Sequence, residues 1–145
     1  MKGALSRQLP LMVLLAGLLG ACATTSEDLR SSRPPTGEEL SGTWEGLYAA
    51  STGSGSKFRF RMLLTFYPTT STYGSYLAEL QPFYAGGTGH TWRGGYQVSG
   101  SEIIVDGGRL KLKLHLYGNN ELRGIYELNH TYISETNRIT LKKME

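Results

Sequence analysis

Two stretches of the chain alternate almost without fault between apolar and charged residues. In KFRFRMLLTFY (57–67), Phe58, Phe60, Met62, Leu64 and Phe66 share one side. Lys57, Arg59, Arg61 and Thr65 share the other, with Leu63 the exception. RLKLKLHLY (109–117) repeats the pattern, with Leu110, Leu112, Leu114 and Leu116 against Arg109, Lys111, Lys113 and His115. Successive side chains of an extended backbone point to opposite faces, so a period of two predicts half-buried strands. Weaker alternation predicts further strands near 43–50, 75–84, 91–99, 102–106, 121–132 and 137–143. Turn residues separate them, including Pro68 to Gly74, Gly86-Gly87-Thr88-Gly89, Asp106-Gly107-Gly108 and Gly118-Asn119-Asn120. The one helical turn expected lies at Gly37–Leu40. Sequential antiparallel strands, about eight in about a hundred residues, predict an all-β fold closed into an up-and-down barrel. Closure removes the edges that an open sheet of that size must protect. A sandwich or half-open barrel is the alternative.

The N-terminal region follows another pattern. Lys2 and Arg7 precede an apolar and small run, Leu9–Ala21, interrupted only by Pro10. A membrane-spanning helix needs about 20 residues, so this run is short for one. Its length and flanks are those of a signal-peptide core. ATTSEDLRSSRPPTGEEL (23–40) is polar, carries Pro34-Pro35 and lacks a helical apolar stripe. It reads as a flexible tether, spanning at most about 60 Å when extended. The organisation expected is a leader over 1–21, a tether over 22–39 and a barrel domain over 40–145.

Between leader and tether sits the chain's one cysteine, Cys22. Leu19-Gly20-Ala21-Cys22 resembles the lipobox of bacterial lipoproteins, with an aliphatic residue at −3 and small residues at −2 and −1. The resemblance implies that the Cys22 thiol receives a diacylglyceryl group and that the chain is cut before it. A lone thiol in an oxidising compartment is a liability unless occupied, and acylation occupies it. Two or more acyl chains at about 0.8 kcal/mol per buried methylene hold stably in a bilayer. Ala23, where an inner-membrane retention signal has Asp, implies outer-membrane sorting in a Gram-negative organism. The competing reading is a plain A-x-A site, Ala21-Cys22-Ala23, cut after Ala23 with loss of the cysteine.

A second resemblance covers LSGTWEGLY (40–48). It is similar to the opening of the calycin superfamily, the lipocalins and their relatives, in which a helical turn leads into Gly-x-Trp on the first strand. Gly42-Thr43-Trp44 matches that motif. The resemblance implies that Trp44 closes one end of the barrel under an arginine of the last strand. Arg138 is the candidate, although parity with Ile139 and Leu141 turns it outward.

Charge narrows the partners. The chain has 15 Lys and Arg against 12 Asp and Glu. Loss of Lys2 and Arg7 with the leader leaves 13 against 12, which makes no case for nucleic acid. The two basic stripes belong to the second and sixth strands, on opposite sides of a barrel. Outward acids flank them: Glu45 and Glu79 beside the first, and Glu102, Asp106, Glu121 and Glu127 beside the second. The three histidines, His90, His115 and His130, lack metal-ligand spacing, and no G-x-S-x-G elbow occurs. Glu45 and Glu79 fall on polar faces rather than as a catalytic carboxylate pair. The expectation is therefore a protein that is not an enzyme and has no catalytic residue, no metal and no cofactor.

Two functional classes stay open. An eight-stranded barrel is just wide enough to be filled by side chains or to hold one small ligand. Gly46, Ala78, Gly94 and Gly124 are expected to leave room beside Trp44, Tyr48, Tyr96 and Tyr126 for a small apolar ligand. Alternatively the core is filled, and aromatics in or near turns, Tyr84 and Trp92 with Tyr73 and Phe83, meet an envelope protein or a glycan.

Overall fold

The computed structural model describes residues 30–51, 57–83, 89–130 and 133–145. A single helical turn, α1 (Gly37–Leu40), precedes eight strands: β1 (Gly42–Ser51), β2 (Lys57–Pro68), β3 (Tyr73–Pro82), β4 (His90–Ser99), β5 (Glu102–Asp106), β6 (Leu110–Tyr117), β7 (Glu121–His130) and β8 (Ile133–Lys143). They pair in sequence order, antiparallel throughout, and close into a barrel through β1 and β8. Both alternating stretches form strands with the expected faces inward. Leu110, Leu112, Leu114 and Leu116 of β6 are all buried, as are Phe60, Met62, Leu64 and Phe66 of β2.

Up-and-down connectivity gives the barrel two unlike ends. One end gathers α1, the tight turns β2–β3, β4–β5 and β6–β7, and the C-terminus. We call it the closed end. The other carries the β1–β2, β3–β4, β5–β6 and β7–β8 connections and is the loop end.

Local chemistry explains α1. Thr36 caps it: the hydroxyl accepts from the Glu39 amide at 3.2 Å, and the Glu39 carboxylate accepts from the Thr36 amide at 2.8 Å. This reciprocal capping box satisfies two amides that a helix start leaves without partners. Arg33 adds a fork to the same carboxylate, at 3.0 and 2.5 Å. Upstream, the Ser31 amide donates to the Leu116 carbonyl at 3.0 Å, and Arg30 makes an isolated bridge with Tyr117. Residues 30–39, read from sequence as tether, thus lie along the barrel. The attachments to the barrel are the Ser31–Leu116 backbone bond, the Arg30–Tyr117 bridge and the Lys143 ammonium on the Glu39 carbonyl, none of which leaves an apolar stripe in the sequence.

The inward glycines differ from expectation. They leave no room, because neighbouring strands already occupy it. A Cβ on Gly46 would meet the Thr140 carbonyl oxygen and Leu141 Cδ2, both at 2.6 Å. One on Gly124 would collide with the Lys113 carbonyl oxygen. Gly94 is covered by the Tyr76 ring, 3.1 Å from where its Cβ would be, and Ala78 is fully buried. At Gly46 and Gly124 the neighbouring backbone approaches closely, and at Gly94 a ring fills the space.

Part of the charge on the outward faces of the basic strands is balanced in register, although Lys113 lies between Ile104 and Ile125. Arg61 Nε donates to Glu45 at 2.6 Å across β1–β2. Lys111 lies directly opposite Asp106 on one side and Glu127 on the other. His115 Nε2 sits 3.7 Å from Glu102. Opposite charges across strands are an ordinary way to finish a solvated sheet face, at about 0.2–1 kcal/mol each.

Candidate binding site

The four aromatic residues expected to line one pocket are divided along the barrel axis. Trp44 lies at the closed end and is fully buried. Its indole Nε1 donates to the Leu40 carbonyl at 2.9 Å, so the buried polar atom is satisfied by α1. The cation over its ring is Lys143, with Nζ 5.4 Å from the centroid. That ammonium also donates to the Glu39 carbonyl at 2.9 Å. Arg138 is exposed and does not cover Trp44; the outward parity of its position on β8 is the reason.

Tyr96 belongs to a second group. Its ring meets Phe66 edge-on at 4.8 Å, and it is almost completely buried. Burial raises the pKa of its phenol, and it does the same for Tyr76, where Asp106 adds a smaller push. Tyr76 escaped notice in the sequence, yet it is one of the largest fully packed side chains. Its hydroxyl abuts Gly107.

Tyr48 and Tyr126 do come together, nearer the loop end. Their ring centroids are 4.9 Å apart, and Tyr48 also stacks on Phe60 at 5.2 Å. Trp92 is not in a turn. It is the third residue of β4, opposite Ala78, with inward parity, and it packs half-buried against the core. The His90 ring lies 5.9 Å from it. Cys22 and Tyr84 lie outside the described residues.

Beside the Tyr48 cluster the loop end opens into a cleft of about 590 Å³ lined by Leu47, Tyr48, Arg59 and Phe83. That size falls within the range of small-molecule sites, roughly 300–1,000 Å³. Leu47 is 67% exposed and Phe83 60%, so two large apolar side chains stand in water at its walls. The Phe83 amide donates to the Arg59 carbonyl at 3.1 Å, which carries the β2–β3 pairing past Pro82 and fixes Phe83 beside Arg59. Of these four residues, only Tyr48 was singled out as a ligand contact. Leu47 was legible as an apolar residue at an outward position between Glu45 and Ala49, and Phe83 as the extension of an outward row.

The cleft offers apolar surface and one guanidinium. Among the described residues it holds no paired nucleophile and base, and no three His, Cys, Asp or Glu side chains gather as metal ligands would.

No protein-family model and no curated protein matches the chain. Solved structures do share its fold. A redesigned beta barrel superposes with a TM-score of 0.52 at 17% identity, covering 79% of this chain and 100% of its own. EF1p2_mFAP2b bound to DFHBI superposes with a TM-score of 0.54 at 14% identity, covering 78% of this chain and 98% of its own. At these identities the likeness is one of fold, an eight-stranded antiparallel barrel.

Proposed function

We infer that this chain is a membrane-anchored lipoprotein of the bacterial envelope, that it is not an enzyme, and that its barrel binds a small apolar ligand at the loop end. The observation that carries the ligand reading is the cleft of Leu47, Tyr48 and Phe83, apolar and open to water, beside a core of buried side chains. A concave, mostly apolar cleft of this size is the usual form of a small-ligand site. A barrel of the same fold bound to DFHBI supports the scaffold's suitability for such a role.

The anchor rests on the Leu19–Cys22 motif, and Ala23 favours the outer membrane where the organism has one. The Gly42-x-Trp44 entry supports kinship with the calycins. Attachment of the chain to the barrel from Arg30 onward leaves seven residues between it and Cys22, or eight Cα-to-Cα steps. Fully extended, these reach at most about 29 Å. The anchor would then hold the closed end near the bilayer, with the loop end free to meet a ligand.

A second reading draws support from the packed interior, in which Trp44, Met62, Leu64 and Leu114 are fully buried. A filled barrel suits a structural or interaction module of the envelope, with Leu47 and Phe83 as contacts for a protein or glycan.

Mass spectrometry of the protein extracted from membranes tests both parts. Intact mass should correspond to a chain beginning at Cys22 plus acyl groups, and Cys22→Ser should accumulate precursor. Native spectra should show a retained small molecule that Leu47→Asp with Phe83→Asp releases. A soluble chain beginning at Thr24 would overturn the anchor. A protein free of small molecules that instead binds a protein or glycan through Leu47 and Phe83 would replace the first reading by the second.

A further inference from the structure

We propose that the loop-end cleft is selective for an anionic amphiphile: a single-chain carboxylate whose apolar body lies on Leu47, Tyr48 and Phe83 and whose charge pairs with Arg59. This deepens the small-ligand reading above and rests on it.

The argument starts from the neighbours of Arg59. Across β1 its register partner is Ala49, and on the β3 side the residue bonded to its backbone is Phe83. Both are apolar. Two residues along the same strand, Arg61 holds Glu45 at 2.6 Å. On the other basic strand, Lys111 lies between Asp106 and Glu127, and His115 faces Glu102. Among the described residues Arg59 makes no ion pair, and it is the cation that lines the cleft. Lys113, between Ile104 and Ile125, and Arg93, opposite Leu77, also have apolar register partners, but among the described residues Arg59 is the one of these cations that lines the cleft.

The chemistry of the occupant follows. Apolar walls lower the local dielectric and strengthen any charge pair formed against them. A guanidinium presents a planar fork of donors that matches the two oxygens of a carboxylate. One positive charge balances one negative charge, so a monoanionic carboxylate fits better than a dianionic phosphate, which would leave charge uncompensated. The apolar surface of Leu47 and Phe83 gains by being covered, which requires an apolar body attached to that head.

Photolabelling of the purified full-length protein, held in phosphatidylcholine nanodiscs, tests this at pH 8. The probes are a diazirine-bearing dodecanoate and the corresponding dodecanol, equal in apolar body and different in charge. A charge-assisted pair predicts that the carboxylate labels peptides containing Leu47, Tyr48 or Phe83 about tenfold more than the alcohol at equal free concentration. Arg59→Gln should reduce the carboxylate to the level of the alcohol. Arg61→Gln, which removes a cation already paired with Glu45, should keep the preference. Equal labelling of the cleft by both probes in the unaltered protein overturns the charge selectivity and leaves a plain apolar site. A preference that survives Arg59→Gln assigns the charge recognition elsewhere and also overturns it. Absence of cleft labelling by either probe overturns both this proposal and the ligand reading beneath it.

Discussion

The two ends of the barrel spend the same kinds of side chain differently. At the closed end an aromatic residue, Trp44, is fully enclosed. Its N–H is bonded to Leu40, its face is covered by Lys143, and the carbonyl of Glu39 accepts from that same ammonium. Arg33 completes the arrangement by pairing with the Glu39 carboxylate. At the loop end Leu47 and Phe83 stand in solvent, and Arg59 has no acid beside it among the described residues. Contacts at the first end are satisfied within the chain. At the second, apolar surface and charge remain available to something else. Stability should therefore concentrate at the closed end and binding at the loop end.

Trp44→Ala is the most severe test of that division. Truncating a buried aromatic costs about 3–5 kcal/mol, a large part of the 5–15 kcal/mol that stabilises a typical domain. Urea unfolding should show a large drop in midpoint, or no folded protein. A variant that unfolds within about 0.5 kcal/mol of the parent would show that the closed end is not where stability resides. Gly124→Ala comes next. Its new Cβ would collide with the Lys113 carbonyl oxygen between β6 and β7. Overpacking of this kind costs about 1–3 kcal/mol, measurable in the same assay. Were Gly124 instead lining a cavity, the added methyl would be neutral or stabilising.

That contrast shows where sequence reasoning stops. The strands were legible because alternation is a local signal. Leu110 to Leu116 reveal their inward face without knowledge of any partner. The capping turn at Gly37–Leu40 and the inward parity of Trp44 were legible for the same reason. The meaning of an inward glycine was not. A gap in a list of large residues looks like space, but Gly46 lies against Thr140 and Leu141, nearly a hundred residues away. Register and strand crossing decide whether the gap is filled, and neither is written locally. Lys143 over Trp44 and the separation of Tyr96 from Tyr48 are consequences of the same closure. Arg59 carried a partial signal: its stripe was visible, while the absence of an acid beside it required the cross-strand register.

A smaller effect concerns pH at the closed end. The Arg33 hydrogen bond, followed by the Thr36 backbone bond, lowers the pKa of the Glu39 carboxyl from 4.5 to about 2. A carboxylate whose pKa is lower when folded stabilises the fold above its unfolded value and ceases to do so as pH falls through the folded value. Glu39 should therefore contribute fully above about pH 4.5 and lose its contribution between there and about pH 2. Unfolding midpoints of the parent and Glu39→Gln should differ at neutral pH and converge in acid. A gap of constant size down to pH 2 would mean that the ion pair and cap do not act through the charge of Glu39.

The smallest expected change in stability is at the loop end, and it sharpens the comparison most. Leu47→Ser and Phe83→Ser remove side chains that are mostly in water already, at 67% and 60% exposure. Little burial is lost, no cavity opens in the core, and the backbone bond from Phe83 to Arg59 does not depend on the ring. Surface changes of this sort fall within about 0.5 kcal/mol. Each variant should unfold close to the parent in urea, and the double variant close to the sum, while both lose affinity for an apolar carboxylate in a direct titration. Transfer of two apolar side chains from ligand contact back to water is worth roughly 1.5–3 kcal/mol each when burial in the complex is complete. The binding loss should thus exceed the stability loss several-fold. The reverse order, a destabilised fold with unchanged binding, would make Leu47 and Phe83 part of the barrel's own packing and move the binding surface away from this end.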